Sequence, residues 1–315
     1  MKAMVTGGAG FIGSHLVDGL LKRGFEVSVI DNLSTGKIEN LNSEAKFFKE
    51  DICSSQIHKI FKEERPDYLF HLAAQIDVRK SVENPFFDAQ VNILGTLNLL
   101  KAALDAGTKK IVFASSGGVI YGQTEDIPTP EGNPLAPISP YGIAKLAGEI
   151  YLKFYAETYD LPYIILRYAN VYGPRQDPLG EAGVVAIFSL AMLKGEKVIL
   201  YGYGKLERDY VFVEDVVKAN ILALENQKNG VFNIGTAKGT SVEELFQLMK
   251  KITGFEGEVE YREARSGELE RSCLSFKQAQ RIFGWSPKTE LETGLQLTVE
   301  WFKEKFLKTT PEHTK

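Results

Sequence analysis

Tyr141 and Lys145 stand four residues apart in the segment Ser139-Pro140-Tyr141-Gly142-Ile143-Ala144-Lys145. On a helix this spacing places both side chains on one face, one turn apart. An ammonium beside a phenol favours the phenolate and lowers the phenol pKa, which is near ~10 when unperturbed. The pair could therefore be a general base that removes a proton from a substrate hydroxyl. The same spacing also occurs by chance on many solvated helices, so the pattern needs support from the rest of the chain.

A glycine-rich segment, Thr6-Gly7-Gly8-Ala9-Gly10-Phe11-Ile12-Gly13, lies between the first predicted strand and the first predicted helix. Its glycines at 7, 10 and 13 allow a tight turn, close approach of the backbone to a pyrophosphate, and close packing of helix on strand. The amino terminus of the helix would then direct unpaired N–H groups at the phosphates. The segment therefore predicts a dinucleotide site.

Asp31 ends the second predicted strand, at the spacing of a ribose-binding acid. A carboxylate there would bind the ribose diol and would repel a 2′-phosphate. No Arg or Lys follows it before Lys37, so the sequence favours NAD over NADP. Asp31 could instead be a turn residue together with Asn32.

Two further strand ends could contact a cofactor. Asp51-Ile52 ends the third predicted strand, where an acid could meet the adenine amino group, although Asp51 could equally cap the next helix ahead of Ser54-Ser55. His71-Leu72-Ala73-Ala74 ends the fourth, and its small alanines would let the backbone lie against the pyrophosphate and the nicotinamide ribose. His71 itself is interpreted as a buried structural histidine.

The segment Ser115-Ser116-Gly117-Gly118 follows the fifth predicted strand. Ligands of open parallel sheets bind at the carboxyl ends of the strands. A serine hydroxyl there could hydrogen-bond the oxygen whose proton Tyr141 removes, or the segment could simply be a turn. Five prolines between Thr124 and Pro140 make a stiff connection that would fix how the Tyr141 helix enters the site.

Short apolar runs alternate with amphipathic helical patterns up to Leu166, which predicts an α/β fold with a doubly wound parallel sheet of the Rossmann type. The pattern loosens afterwards, and we expect a smaller mixed α/β lobe that binds substrate. The predicted division assigns 1–168 and 207–237 to the NAD-binding domain, and 169–206 and 238–315 to the smaller lobe. The polar tail from Lys308 is expected to be frayed.

Composition excludes several classes of protein. Hydrophobic content is 44%, charged content 25% and net charge −4 over 315 residues, which gives no support for a nucleic-acid or membrane partner. Cys53 and Cys273 lack metal-ligand spacing and suggest free thiols in a reducing compartment, and no metal site is expected from the four histidines. A first strand at Lys2 leaves no room for a signal peptide, so we expect a cytoplasmic protein.

The glycine fingerprint, Asp31, Ser116 and Tyr141-x-x-x-Lys145 occur in the order and spacing of the extended short-chain dehydrogenase/reductase family, which this chain resembles over nearly its whole length. Within that family it is similar to the enzymes that invert C4 of UDP-hexoses. The resemblance implies NAD-dependent reversible epimerisation of UDP-glucose and UDP-galactose through a 4-keto intermediate. It also implies a homodimer that pairs the helices at about 85–106 and 141–158. Further matching segments are Leu166–Arg175, Arg208–Val211, Asn233–Gly235 and Arg265–Glu268.

The resemblance implies a role for each residue of the catalytic group. Tyr141 would deprotonate the sugar 4-hydroxyl, Lys145 would lower the Tyr141 pKa and hold the nicotinamide ribose, and Ser116 would hydrogen-bond O4. The implied NAD contacts are Gly7, Gly10, Phe11, Ile12, Gly13, Asp31, Asn32, Ser34, Thr35, Gly36, Asp51, Ile52, Leu72, Ala73, Ala74, Gln75, Asn92, Ala114, Ser115, Tyr141, Lys145 and Tyr168.

The implied substrate site divides by the part of the nucleotide sugar. Asn170, Arg208 and Arg265 would contact the diphosphate, since two arginines make a fixed-charge clamp, although each could be a surface ion-pair partner instead. Glu268 would bind the uridine ribose. The complete implied set is Ser116, Tyr141, Asn170, Val184, Val185, Ile199, Tyr201, Arg208, Arg265, Glu268 and Ser272, of which Val184, Val185, Ile199 and Tyr201 would line the nucleotide pocket.

Other functions stay open. Related 4,6-dehydratases and decarboxylases carry an acid just after the Ser or Thr, where this chain has Gly117-Gly118. A net 4-reductase is an alternative that sequence does not test. A non-enzymatic NAD-sensing module would not need Ser116, Tyr141 and Lys145 together.

The chain also departs from its relatives at three places. The serine loop is one residue longer than in some of them, so the choice of Ser116 over Ser115 follows from the register that faces Tyr141. Gln75-Ile76 replaces a lysine found in some epimerases. Ser272 stands where relatives that exclude N-acetylated sugars have a tyrosine, which suggests room for the N-acetylated UDP-hexosamines.

Overall fold

The structure is a computed structural model that describes residues 1–179, 183–226, 228–265 and 268–307. The tail from Lys308 lies outside the described residues. The strands are β1 (Lys2–Thr6), β2 (Glu26–Asp31), β3 (Lys46–Lys49), β4 (Tyr68–His71), β5 (Lys110–Ser116), β6 (Tyr163–Tyr168), β7 (Asn170–Tyr172), β8 (Val198–Leu200), β9 (Glu207–Arg208), β10 (Tyr210–Phe212), β11 (Gly230–Ile234), β12 (Thr240–Ser241), β13 (Val259–Tyr261) and β14 (Arg271–Ser272).

Most of the strands are joined by helices. These are α1 (Phe11–Lys22), α2 (Gln56–Glu64), α3 (Val78–Glu83), α4 (Pro85–Ala89), α5 (Gly95–Ala106), α6 (Gly117–Ile120), α7 (Pro140–Tyr159), α8 (Val184–Lys194), α9 (Val213–Glu225), α10 (Val242–Thr253), α11 (Lys277–Phe283) and α12 (Leu291–Phe302). A π-helical turn, Gln90–Leu94, connects α4 to α5.

Seven strands form one parallel sheet in the order β11-β6-β5-β4-β1-β2-β3. The chain builds outwards from β1 to β3 and then crosses back to place β4 on the other side of β1. Parallel strands open a crevice at their carboxyl ends where the order reverses, here between β1 and β4. Both the glycine turn after β1 and the alanines after β4 therefore reach the same crevice.

The sheet is covered on both faces, because alternate residues of a strand point to opposite sides. In β1, Ala3 and Val5 belong to a core shared with α1 and α9, whereas Met4 belongs to a core shared with α2, α5 and α7. These two cores confirm the predicted doubly wound sheet.

The later part of the chain forms small sheets. The strand β9 lies between β12 and β14, β7 pairs with β10, and β8 pairs with β13. A third core joins α8, α10 and α12, with Phe188 and Phe246 in an edge-to-face contact. Within 207–237, β9 belongs to a small sheet while β11 completes the large one. The division of the chain into two domains at the bounds given above stays a prediction.

One element boundary agrees with expectation and one differs. The helical segment expected at about 85–106 begins at Pro85, where the Asn84 side chain accepts a hydrogen bond from Phe87 N–H at 3.1 Å. Asn followed by Pro is a strong helix-start signal, because it supplies both a cap and a preset φ. The strand β5 extends through Ser115 and Ser116, which were expected to follow it, and both pair with β6, so the alternative interpretation of these two serines as a turn is wrong.

In the part of the chain that the structure describes, we find no helix that is both long and apolar enough to cross a membrane.

Candidate active site

The helix α7 begins at the expected point because its first turn is held on two sides. The Ser139 hydroxyl accepts a hydrogen bond from Gly142 N–H at 3.1 Å and caps the helix. The Ser81 hydroxyl, at the end of α3, accepts from Tyr141 N–H at 3.2 Å. These contacts fix the backbone of Tyr141 at the mouth of the crevice.

Lys145 lies one turn further along α7, and its ammonium lies near the Tyr141 ring. Its ammonium is 5.8 Å from the centroid of the Tyr141 ring and donates a hydrogen bond to the Ala114 carbonyl at 3.0 Å. The predicted same-face arrangement of phenol and ammonium is therefore present. The side chain of Lys145 also passes within 5.0 Å of the centroid of Phe113, which excludes water from the ammonium.

Burial sets the charge state of Lys145. The residue is 5% exposed, and this desolvation lowers the pKa of Lys145 to about 8. The carboxylates of Asp88 and Glu149 oppose that effect. The ammonium therefore persists at neutral pH and is lost as pH rises through about 8.

The two serines at the end of β5 have different surroundings. The Ser115 hydroxyl is buried and donates a hydrogen bond to the Glu149 carboxylate at 2.7 Å. Ser116 is half-buried and its side chain leaves the strand on the opposite side. Within the described ranges, no hydrogen bond is made by the Ser116 hydroxyl. Ser116 is thus the serine whose hydroxyl is available at the sheet edge.

The glycine turn forms a cradle that has no room for side chains. Gly7 has φ +71°, and a Cβ there would lie 2.8 Å from the amide nitrogen of Ala73. A Cβ on Gly13 would collide with the Gly7 carbonyl oxygen. The first turn of α1 opens directly above this cradle, with Gly10 as its N-cap. Such a cradle at a helix amino terminus fits the pyrophosphate of a dinucleotide.

Asp31 serves the turn after β2 as well as facing the crevice. Its carboxylate accepts hydrogen bonds from Ala9 N–H at 3.0 Å and Leu33 N–H at 2.8 Å. Burial raises the pKa of Asp31, and these two bonds oppose the rise. A Cβ on Gly36 would come within 2.8 Å of the same carboxylate, so the loop 32–36 folds over it. The two interpretations of Asp31 given above are therefore compatible.

Asp51 does not cap the helix α2, which was one of its two possible roles. The strand β3 ends at Lys49 and the N-cap of α2 is Ser55, so the interpretation of Asp51 as that cap is wrong. Its carboxylate accepts hydrogen bonds from Cys53 N–H and from the Asn32 side chain, both at 2.8 Å. Burial by itself raises the pKa of Asp51, but the hydrogen bonds outweigh burial, so the pKa lies below its usual value. The bond to Asn32 joins the ends of β2 and β3.

The end of β4 is joined to the π-helical turn. The Asn92 amide accepts from Gln75 N–H and donates to the Gln75 carbonyl, each at 2.9 Å, and also donates to Asp88. Such π turns are frequent at functional sites, since they redirect one side chain. Here the turn directs Asn92 at the segment Leu72–Gln75. The sequence analysis did not predict this turn.

His71 has both ring nitrogens occupied. They contact the hydroxyls of Thr6 and Thr96, each at 2.9 Å. Burial lowers the pKa of His71 to about 3, and the charge of Lys145 adds to this effect. The imidazole is therefore neutral and structural, as interpreted from the sequence.

Two of the predicted substrate residues come together on β9 and β14, and three others contact one another in pairs outside these strands. Arg208 is the register partner of Ser272, and its guanidinium donates to the Glu207 carbonyl at 2.8 Å. The Arg265 guanidinium stacks 3.9 Å from the centroid of the Tyr201 ring. Glu268 accepts a hydrogen bond from Arg265 N–H at 2.8 Å. Ser266 and Gly267, which complete that motif, lie outside the described residues.

The other predicted residues differ in exposure. Asn170 is exposed at the start of β7, while Val184 and Ile199 are half-buried. Val185 packs in the third core, and the Tyr168 hydroxyl hydrogen-bonds Asn220 at 3.0 Å. The side chains of Val185 and Tyr168 are therefore committed to packing, as is that of Ile52. We expect ligand contacts at these three positions to come from the backbone.

Sequence reasoning did not single out two charged residues beside the site, Glu149 and Arg167. They form a buried ion pair with Nη2–Oε2 of 2.6 Å. A usable signal existed, because Arg167 interrupts an apolar strand and Glu149 follows Lys145 by one helical turn. Asp209 was also missed; its buried carboxylate accepts from Thr236 and from Leu274 N–H.

Among the residues that the structure describes, we find no group of three or more His, Cys, Asp or Glu side chains placed to hold a metal ion.

Comparison with known proteins agrees with this geometry. The family model described as "NAD dependent epimerase/dehydratase family" matches residues 3–235. The chain belongs to this family.

Members of the family with solved structures resemble the whole chain. A UDP-glucose 4-epimerase from Thermotoga maritima, solved with UDP-glucose, is 54% identical with a TM-score of 0.95, over 96% of this chain and 99% of that one. A UDP-glucose 4-epimerase from Thermus thermophilus, solved with NAD, is 46% identical with a TM-score of 0.93, over 97% and 100%. A UDP-N-acetylglucosamine 4-epimerase from Methanobrevibacter ruminantium, in complex with UDP-N-acetylmuramic acid, is 38% identical with a TM-score of 0.91, over 96% and 98%.

The glycine cradle gives the first prediction. Gly13→Ala should place a methyl group against the Gly7 carbonyl and push the turn out of shape. We expect the purified variant to bind NAD at least tenfold more weakly, a loss of about 1.4 kcal/mol. NAD released from denatured protein, together with titration of the stripped protein, measures this. Gly132→Ala is the matched control, because a Cβ there meets no atom within 4 Å. Equal NAD affinity in both variants would contradict the assignment.

Proposed function

We propose that this protein interconverts UDP-glucose and UDP-galactose by inverting C4 of the sugar, with NAD bound throughout turnover. The observation that carries the proposal is the arrangement of Tyr141, Lys145 and Ser116 at the carboxyl edge of the sheet. The 54% identity to an epimerase solved with UDP-glucose supports it over nearly the whole chain.

The cofactor would be held by groups already in place. The turn from Gly7 to Gly13 and the amino terminus of α1 accommodate the pyrophosphate, and Asp31 binds the adenosine ribose diol. When bound, NAD would supply the acceptor, and later the donor, of the hydride of C4. The hydrogen bonds between Asn92 and the backbone of Gln75 would hold the segment after β4 in position beside the cofactor.

The chain's own residues manage the proton and the sugar oxygen. The Lys145 ammonium favours the Tyr141 phenolate, which removes the proton from the 4-hydroxyl and later returns it. The Ser116 hydroxyl donates a hydrogen bond to the same oxygen. Because phenol, ammonium and hydroxyl are positioned by packed elements, little reorganisation is needed as charge develops.

The nucleotide would lie across the small sheets. Arg208 and Arg265 would neutralise the diphosphate together with Asn170, and Glu268 would bind the uridine ribose. Val184, Val185, Ile199 and Tyr201 would surround the base. We keep the domain division, 1–168 with 207–237 and 169–206 with 238–315, as part of this proposal, with the NAD site in the first domain and the nucleotide site in the second.

The alternative is another nucleotide-sugar enzyme of the same family: a 4,6-dehydratase, a decarboxylase or a 4-reductase. Elimination of water needs an acid and a base on the sugar. Gly117 and Gly118 begin α6 directly after Ser116 and offer no carboxyl group. This favours the epimerase.

Removing the phenol hydroxyl tests the function. Tyr141→Phe should lower turnover at least ~100-fold, the usual contribution of a general base, and should leave NAD bound. The assay incubates the protein with UDP-galactose, without added NAD, and follows UDP-glucose by NMR. Wild type that converts nothing even with NAD supplied would rule out UDP-hexose epimerisation. Unchanged turnover in Tyr141→Phe would rule out the assignment of the base.

Ser272 bears on the range of sugars. Its small side chain stands beside Arg208 on the neighbouring strand, and a relative of 38% identity is a UDP-N-acetylglucosamine 4-epimerase. We propose that the site admits UDP-N-acetylglucosamine as well as UDP-glucose.

Filling this space should remove the larger substrate selectively. In Ser272→Tyr we expect turnover of UDP-N-acetylglucosamine to fall at least tenfold, while turnover of UDP-glucose changes less than threefold. The tyrosine would clash with the N-acetyl group, and one methylene too many in a pocket costs roughly 1–3 kcal/mol. Both substrates are compared by NMR. No turnover of the N-acetylated sugar by wild type, or its survival in the variant, would refute the proposal.

We further propose a homodimer that pairs the helices at about 85–106 and 141–158, through a face formed by α4, the π-helical turn, α5 and α7. Phe86 is 87% exposed and Ile150 is 57% exposed on this face. Contiguous exposed apolar surface marks an interaction site. The large exposed apolar side chains of these helices and the π-helical turn are Phe86, Phe87, Leu94, Ile143, Ile150, Tyr151, Phe154 and Tyr159.

Placing charge in that face should separate the subunits. Ile150→Glu combined with Phe86→Glu should yield monomers. Each subunit would otherwise bury two unpaired carboxylates in the interface, and the loss of their hydration is costly. Light scattering coupled to gel filtration measures the mass. Ile282→Glu, at a half-exposed isoleucine on α11, is the control and should leave the mass unchanged. A wild-type mass of one chain would refute the dimer.

We also infer that the protein works in the cytoplasm on small nucleotide-sugar substrates. The two free thiols, Cys53 and Cys273, support a reducing compartment.

A further inference from the structure

A buried ion pair lies one helical turn beyond Lys145 on α7. Glu149 and Arg167 have side chains that are 0% and 2% exposed. The Arg167 Nε donates to Glu149 Oε1 at 2.8 Å and Nη2 donates to Oε2 at 2.6 Å, so the guanidinium holds both carboxylate oxygens. Ser115 adds a third donor to Oε1 at 2.7 Å.

Glu149 also has a competing partner on its own helix. Lys145 precedes it by four residues, and oppositely charged residues at this spacing attract one another across one turn. In a buried setting this attraction is stronger than on a surface, because little water screens it. Left alone, the Glu149 carboxylate would therefore draw the ammonium along the helix.

The structure shows a different outcome. The Lys145 ammonium donates to the Ala114 carbonyl at 3.0 Å and stays 5.8 Å from the centroid of the Tyr141 ring. Within the described part of the chain, it forms no ion pair with Glu149. The three donors on the Glu149 carboxylate account for this, since both oxygens are already engaged.

We propose that Arg167 is a positioning residue of the reaction, because its hold on Glu149 keeps that carboxylate from drawing the Lys145 ammonium out of the site. Arg167 touches neither substrate nor cofactor in this role. The inference rests on the proposed function for its kinetic readout, and a second readout is independent of it.

The charges around the ammonium balance. Two carboxylates, Asp88 and Glu149, act on Lys145, and Arg167 compensates one of them. Asp88 is buried on α4, where Gln75 and Asn92 donate to its Oδ1. The other titratable groups facing these four residues are Tyr141 on α7, neutral His71 on β4, Tyr121 after α6, Tyr163 on β6 and Glu131 in the loop before α7.

Arg167 has a second anchor besides Glu149. Its Nη1 donates to the Tyr121 hydroxyl at 2.8 Å, and that hydroxyl donates to Asn233 at 2.8 Å. Tyr121→Phe therefore removes one contact of the guanidinium and leaves the fork on Glu149 intact. This variant is a matched control for damage to the buried network.

The test compares variants that do similar structural damage but change charge in opposite directions. Arg167→Met leaves a net negative charge near Tyr141, which disfavours the phenolate, so the acid limb of the kcat profile should move up by about one pH unit, a tenfold loss of turnover well below the limb. Glu149→Gln leaves a net positive charge, so the limb should move down. Glu149→Gln combined with Arg167→Met should return it to within about 0.3 units of wild type, and Tyr121→Phe should not move it.

The second readout is the ultraviolet difference titration of each variant holoenzyme against the same variant carrying Tyr141→Phe, which reports the phenol directly and needs no substrate. Its midpoints should shift in the same directions as the acid limbs. Thermal unfolding of each variant establishes that it is folded, and Glu149→Gln alone decides the matter should Arg167→Met fail to fold.

Three results would overturn the proposal. The acid limb of the kcat profile could shift in the same direction in both single variants, or stay in place in folded Arg167→Met. The double variant could also fail to return the limb to its wild-type pH. A wild type inactive on UDP-hexoses would instead remove the proposed function, and the phenol titration would still decide the role of Arg167.

Discussion

The register between α7 and β5 is the constraint on which the site depends. Two consecutive strand residues hold two helix residues one turn apart: the Ala114 carbonyl accepts from Lys145 at 3.0 Å, and the Ser115 hydroxyl donates to Glu149 at 2.7 Å. All four groups are buried. A slip of the helix by one residue would break both bonds and leave buried polar groups unpaired, which costs about 1–3 kcal/mol for each group. The distance from phenol to serine hydroxyl is fixed by this register.

The seven-stranded sheet brings the second half of the site to the same place. The reversal of strand order between β1 and β4 opens a crevice at the carboxyl ends of these strands. The glycine turn fills the floor of that crevice so closely that side chains would collide there. The fold therefore needs glycine at these positions for the same reason that a pyrophosphate fits above them.

Local patterns predicted much of this structure. The helix from Phe11 to Lys22 and the strand that ends at Asp31 match the sequence expectation, because alternating apolar residues and a glycine turn act over short distances. The serines of β5 were expected just after the strand, with a turn as the alternative, yet both pair with β6, since a neighbouring strand offered their backbone partners. The π-helical turn at Asn92 was not expected either, because its bonds to Gln75 join segments that are distant in sequence.

Spacing within one element or one connection was enough to predict the parallel α/β sheet, the dinucleotide turn and the common face of Tyr141 and Lys145. Which serine is available, and that Glu149 is held by Arg167 in preference to Lys145, could be seen only in the folded protein. Both outcomes depend on which element packs against α7. A helix sequence states which of its residues share a face, and the neighbouring strands determine which partners that face will meet.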